Sequence, residues 1–145
     1  YVTVNQGSVF YMTEALALLE GMERGPAGNT SLAAAFSLAQ TMKKDEIIVV
    51  QETEYTGAGK HLLPQLSFAK KNGVDLQFGN PLDEVPGKNI IFPENGGLLQ
   101  HRELNMDDLR RSYLKRYKEV TLTEEDYQFL CDELNVAKEK ILELL

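Results

Sequence analysis

The chain has 145 residues, 43% of them apolar and 26% charged, with a formal net charge of −7. That length and composition fit one globular core of ordinary make-up, and the negative charge argues against nucleic acid or an anionic membrane as the main partner. No apolar run has the length of a bilayer-spanning helix, no basic n-region opens the chain, and Cys131 has no second cysteine to pair with, so a cytoplasmic location is expected.

Tyr1 stands where a start methionine would, which gives the expectation that the chain begins inside an element of something longer. Residues 2–5 alternate as a short strand, and Gly7-Ser8 offer a turn and a cap. From Val9 onward, Val9, Met12, Leu16 and Leu19 share one helical face, and that helix is expected to end near Arg24-Gly25-Pro26. Asn29, Thr30 and Ser31 are N-cap residue types. The helix they open has Leu32, Ala35, Phe36 and Ala39 at core-face spacing. Ile47-Ile48-Val49-Val50 is a continuous branched run, which predicts a strand buried on both faces of a parallel sheet. A third helix is predicted over roughly residues 60–72, with Gly73 as its C′ residue. Residues 74–78 alternate as a strand, 79–89 form a loop with two Pro and two Gly, and Ile90-Ile91-Phe92 forms a last short strand. The order is that of an α/β fold.

The character changes near Glu94, giving an expected division into an α/β body, residues 1–93, and a small all-helical extension, residues 94–145. Met106, Leu109, Tyr113 and Tyr117 lie on one helical face. Thr123 is placed to cap a second helix with Tyr127, Leu130, Cys131 and Leu134 inward. Asn135 is placed to cap a third, with Ala137, Ile141 and Leu144 inward. A basic segment, residues 102–118, precedes an acidic tail carrying eight carboxylates from Glu119 to Glu143. Such a tail reads as a docking element for a partner protein or for the parent's own body.

Gly57-Ala58-Gly59-Lys60 resembles a phosphate loop, but only two residues separate Gly57 from Lys60 and His61 follows, which is the wrong spacing for a nucleotide triphosphate site. Its place is more telling. It lies beyond the carboxyl end of an expected buried strand, where open α/β sheets bind ligands. Glu52–Gly59 is therefore the candidate site. Thr53 and Thr56 offer neutral hydroxyls that donate and accept, suited to a ring nitrogen that stays unprotonated, while Glu52 and Glu54 read as rim charges. Neither His61 nor His101 has a helical partner at metal-ligand spacing, so no metal site is expected. Asn29-Thr30-Ser31 could hold an anion at a helix start, with plain capping the simpler reading.

Four stretches in order, Glu20-Gly21-Met22, Gly25-Pro26-Ala27-Gly28, Ala33-Ala34-Ala35 and Ile47-Ile48-Val49-Val50, resemble the C-terminal part of fold-type II pyridoxal-phosphate enzymes, the group of threonine synthase, threonine dehydratase and cysteine synthase. The resemblance implies part of a parallel-sheet large domain and pyridoxal phosphate as cofactor. It also implies a hydroxyl just past the branched strand that contacts the pyridine nitrogen. Counting along the strand gives Thr53, with Thr56 as the alternative, and Glu52 and Gly57 in the same cofactor-binding turn. Further stretches, EYTGAGKHLLPQLSFAKKNGV, VPGKNIIFPEN and LRRSY, are similar to the thiolase β subunits of ornithine fermentation. The reaction so implied is cleavage of 2-amino-4-oxopentanoate to acetyl-CoA and alanine, with coenzyme A as co-substrate.

The chain departs from the group's pattern at Gly25, where Glu is usual before Pro-Ala-Gly, and at Asn29-Thr30-Ser31, where small residues are common. Nothing in it matches the group's Schiff-base lysine motif, glycine-rich phosphate loop or substrate-carboxylate loop, which the family places earlier. The implication is a piece that carries no catalytic residue, is inactive alone, and is completed by the rest of a parent chain in a homo-oligomer or with a small alpha subunit. Two other readings stay open at this point: another fold-type II lyase or synthase, such as an ammonia-lyase or a threonine synthase-like protein, and a non-catalytic α/β binding module with a helical docking tail.

Overall fold

The computed structural model describes residues 1–52 and 62–145, and the chain divides into two compact units, Tyr1–Glu103 and Leu104–Leu145. Helices and two small sheets make it a mixed α/β protein.

In the first unit, alternating Val2-Thr3-Val4 forms β1 (Val2–Val4), followed by α1 (Gln6–Glu20). The helix starts three residues before Val9 because its start is set by tertiary contacts. Asn5 stands at the N-cap and its side chain makes no capping bond. The carboxylate of Glu84 takes that role from far along the chain. It accepts the backbone N–H of Gln6 at 2.8 Å and of Gly7 at 2.9 Å, and also that of Ile91 at 3.0 Å. A negative charge on the free N–H groups of a first helical turn is favourable on both hydrogen-bonding and dipole grounds. Gly7 is what lets the helix come so close: a Cβ there would lie 1.8 Å from the carbonyl oxygen of Ile91. The helix stops earlier than Arg24, because Gly21 takes the left-handed conformation (φ 65°) and its N–H returns to the Ala17 carbonyl.

The second helix, α2 (Asn29–Ala39), has the predicted extent and a different inward face. Asn29, Ala33 and Ser37 are buried, at i, i+4 and i+8. The Asn29 amide donates to Thr13 Oγ1 at 3.0 Å, and Thr13 donates to the Val9 carbonyl at 2.8 Å. Ser37 Oγ lies 2.9 Å from His101 Nδ1, and the Gln40 amide donates to the Leu99 carbonyl at 2.9 Å. Ala33 packs with Val9, Met12 and Leu99 into one core cluster. Small and hydrogen-bonding side chains therefore face α1. Leu32, Ala35, Phe36 and Ala39, the expected core face, line an open groove with Met42, Ile48 and Val50.

Residues 47–50 depart from expectation in a second way. They form no ladder with any described strand, and Ile47 (85% exposed) and Val49 (91% exposed) are bare while Ile48 and Val50 face the groove. The run has the alternation of a strand without neighbours.

The carboxyl half of the unit follows the predicted order: α3 (Leu62–Lys71), β2 (Asp75–Phe78) and β3 (Asn89–Phe92). Strands β2 and β3 are parallel, with Leu76 opposite Ile90 and Phe78 opposite Phe92. Only residues 79–88 join them, with a 3-10 turn at Pro81–Asp83, whereas parallel crossovers are usually longer and helical. Phe10, Leu62 and Ile90 make the core on this side, and the Phe10 and Phe92 rings stack at 6.3 Å. Residues 94–103, grouped with the helical extension in the sequence, pack here: Leu99 is buried, and β4 (His101–Glu103) pairs antiparallel with β1.

The second unit holds α4 (Met106–Leu114), α5 (Glu124–Leu134) and α6 (Lys138–Leu144). Leu114, Leu130, Ile141 and Leu144 form its core, each side chain contributing about 1.5–3 kcal/mol by burial. Met106 and Leu109 remain largely exposed, so the inner end of α4 is its last turn. Thr123 makes the predicted cap, and a reciprocal one: Asp126 N–H donates to Thr123 Oγ1 at 3.2 Å, and Thr123 N–H donates to Asp126 Oδ2 at 2.8 Å. Asn135 does not open α6. It closes α5 in the left-handed conformation (φ 49°), Ala137 takes the N-cap of α6, and Ala137 is exposed.

Candidate cofactor-binding site

The sequence places the candidate site just beyond the Ile47–Val50 run, supported by the turn that opens α2. That turn is built from Gly25 and Gly28, both buried, with Asn29 N–H bonded to the Gly25 carbonyl and Thr30 N–H to the Ala27 carbonyl. Gly28, not a capping side chain, holds the N-cap. The hydroxyls at the helix start turn backwards: Thr30 Oγ1 donates to the Pro26 carbonyl at 3.5 Å, and Ser31 Oγ lies 3.1 Å from the Gly28 carbonyl. They are spent on carbonyls of the turn and neither caps the helix N–H groups nor reaches toward an anion. At the amino end of α1 the Glu84 carboxylate already occupies the place an external anion would take.

Ser31 also does something the sequence did not disclose. Its Oγ also lies 3.3 Å from the Gln51 carbonyl, so its one hydrogen is shared between that carbonyl and the Gly28 carbonyl. This contact ties the carboxyl end of the 47–50 run to the first turn of α2. The next residue, Glu52, is half-buried, and both of its carboxylate oxygens are shielded from solvent with no hydrogen-bond partner among the described residues. Thr53, Thr56 and Gly57, the other residues expected to meet a cofactor, lie outside the described residues, as do Glu54 and His61. His101 is far from them in sequence and serves α2 through Ser37.

Sequence reasoning missed Glu84 and Ser37, and it read Asn29 as a cap where the structure buries it against Thr13. Glu84 follows a Pro-Leu-Asp turn in a loop, where nothing local distinguishes a long-range cap from a solvated acid. Asn29, Ala33 and Ser37 carried a readable signal, a stripe of small and amide or hydroxyl residues at every fourth position, which fits close helix packing better than the bulkier stripe beside it.

No protein-family model matches the chain, and no solved structure matches it. Over 137 residues it is 61% identical to the 2-amino-4-ketopentanoate thiolase beta subunit of Acetoanaerobium sticklandii, and 56% identical to a protein of the same name from an unknown prokaryotic organism. Each match takes in 92% of this chain, and the chain spans 29% of the length of the curated relatives it matches. Over nearly all of its length, then, this chain is similar to a segment of the 2-amino-4-ketopentanoate thiolase beta subunit.

Proposed function

We propose that this chain forms the closing part of a pyridoxal-phosphate-binding domain in a coenzyme A-dependent thiolase acting on 2-amino-4-oxopentanoate. The observation that carries the reading is the 61% identity over 137 residues to a protein named for that activity. The reaction balances as addition of the coenzyme A thiol to the C4 carbonyl and breakage of the C3–C4 bond. The electron pair and a proton end on C3, giving acetyl-CoA and alanine. The cofactor, when bound, supplies the electron sink for the charge left at C3.

Nearest this cofactor wall is the Glu52 carboxylate, shielded from solvent with no donor among the described residues, at the end of a run in contact with Ser31. In this reading Thr53 offers the ring nitrogen a neutral hydroxyl, which leaves it less positive than a carboxylate partner would, with Thr56 next in line. Glu52 and Gly57 complete the wall. The Pro26–Thr30 turn orients that wall and exchanges no proton, since its one hydroxyl, on Thr30, is engaged with the Pro26 carbonyl. In this reading the Schiff-base lysine comes from a part of the subunit outside the matched segment, and the word beta in the relatives' names fits an alpha subunit as partner.

The test has two parts. The 145-residue chain mixed with pyridoxal phosphate and borohydride is expected to give no stoichiometric adduct at a single lysine. In the full-length Acetoanaerobium sticklandii subunit with its partner, changing the residue that matches Thr53 to Ala is expected to shift the cofactor's absorbance and lower turnover. A clean adduct at one site of the short chain overturns the incomplete-site reading. An unchanged spectrum and rate in the Ala variant overturns the role of Thr53.

A further inference from the structure

The second unit carries a cationic surface that neither its fold nor the cofactor reading uses. Arg110, Arg111, Lys115, Arg116 and Lys118 fall within residues 110–118 with no carboxylate among them, in a chain of net charge −7. Two of these cations are neutralised: Arg110 pairs with Asp107 at 2.9 Å and Arg111 with Asp108 at 3.1 Å. Other carboxylates of the unit are taken by other lysines, Glu124 by Lys138 and Glu143 by Lys140. Lys115, Arg116 and Lys118 are exposed, and among the described residues none of them has a carboxylate at ion-pair distance.

Arg116 is held in place although it is unpaired. Its Nε–H donates to the Tyr113 carbonyl at 3.2 Å, and its guanidinium lies 4.2 Å from the centre of the Tyr113 ring and 5.9 Å from that of Tyr117. Both rings are half-buried against the core of Leu114, Leu130, Ile141 and Leu144, so the platform beneath the guanidinium is fixed. A guanidinium laid flat on an aromatic ring keeps its outer face and its terminal N–H groups for a ligand, and it loses little freedom when one binds. The outer face suits a planar base, and the N–H groups suit phosphate oxygens. Lys115 and Lys118 add two point charges beside it. An acidic peptide would use the charges and leave the stacking face idle, whereas a purine nucleotide with several phosphates uses both.

We propose that Lys115, Arg116 and Lys118 bind the adenosine phosphates of coenzyme A, with the Arg116 guanidinium stacked between Tyr113 and the adenine ring. This rests on the reading above that the subunit uses coenzyme A. The pantetheine arm carries the thiol away from these groups, so the three side chains position the nucleotide end and touch no reacting atom.

The test titrates the 145-residue chain with coenzyme A at low ionic strength and follows backbone amide resonances. Saturable shifts are expected over residues 111–118. Dephospho-coenzyme A, which lacks the 3′-phosphate, is expected to bind about three- to tenfold more weakly, and pantetheine, which has neither phosphate nor base, to leave the segment unmoved. Arg116→Lys keeps the charge and loses the flat fork, and is expected to weaken binding about tenfold. Unmoved α5 and α6 resonances show that the variant is folded; if they move, Lys115→Gln combined with Lys118→Gln carries the same expectation. Absence of shifts over residues 111–118, or unchanged affinity in the folded variant, overturns the proposal. So does tripolyphosphate or an acidic peptide binding as tightly as coenzyme A, because the surface then reads charge alone. A full-length Acetoanaerobium sticklandii subunit with thiolase activity, beside a short chain that ignores coenzyme A, refutes the site and leaves the function standing; a short chain that binds coenzyme A, beside a full-length subunit lacking that activity, does the reverse.

Discussion

Gly7→Ala is the sharpest probe of the first unit. A single methyl would be placed 1.8 Å from the Ile91 carbonyl oxygen and 2.4 Å from its carbon. Both obstacles are backbone atoms of β3, so no rotamer change relieves the clash. Restoring ordinary contact moves the first turn of α1 away from β3 by more than an ångström. That movement breaks the bonds from Gln6 and Gly7 to Glu84 as well. Overpacking costs about 1–3 kcal/mol, and loss of bonds to a charged acceptor costs about 1.5–3 kcal/mol. The helix-forming advantage of Ala over Gly returns up to about 1 kcal/mol. A net loss of about 1.5–5 kcal/mol is expected, which speeds exchange of the protected α1 and β3 amides by roughly ten- to several-thousandfold. Exchange is the right assay because it reports this unit separately from residues 104–145. Glu84→Gln should be strongly sub-additive with Gly7→Ala, since both act on the same bonds. A Gly7→Ala change smaller than about 1 kcal/mol, or two fully additive effects, would refute the argument.

Two further predictions concern the second unit. Thr123→Ala removes the reciprocal cap of α5 and should destabilise that unit by about 1 kcal/mol, read from exchange of α5 amides; no effect would mean that Asp126 alone holds the turn. The acid limb is set by two carboxyls held below their ordinary value of 3.8, Asp107 by hydrogen bonds from Lys140 and Arg110 and Asp126 by bonds from Thr123. Because the folded-state values are depressed, their contribution is present above the unfolded value and fades as pH falls through the folded one, so loss is expected below about pH 4. Asp107→Asn should remove part of that dependence in an acid titration followed by circular dichroism, and an unchanged limb would show that the Asp107 ion pairs are fully screened.

Local pattern carried much of the fold. The order of the helices and of β2 and β3, the extents of α2 and β3, and the Thr123 cap were all legible, because each depends on neighbours within a few residues. What was not legible depends on distance. The start of α1 depends on Glu84, and the inward face of α2 depends on Thr13 and His101, so a stripe of leucine and phenylalanine outweighed the smaller residues that pack. Asn135 is a capping type at either end of a helix, and only the left-handed backbone chose the end of α5. For the site, the sequence pointed to Glu52–Gly59, of which only Glu52 is among the described residues, and Ser31 joins the turn before α2 to the residue preceding Glu52. The branched run announced a two-sided burial that no described residue provides.

The three bonds to Glu84 also have a meaning in time. Donors at residues 6 and 7 and their acceptor at residue 84 are separated by 78 and 77 positions. During synthesis at about 5–20 residues per second, roughly four to sixteen seconds pass between them. Through that interval the amino end of α1 has neither its cap nor the β3 surface that Gly7 is shaped to meet. Closing so long a loop comes before any return from the contacts it makes. The helix nearest the start of this chain is therefore completed only after α2, α3, β2 and β3 have been made.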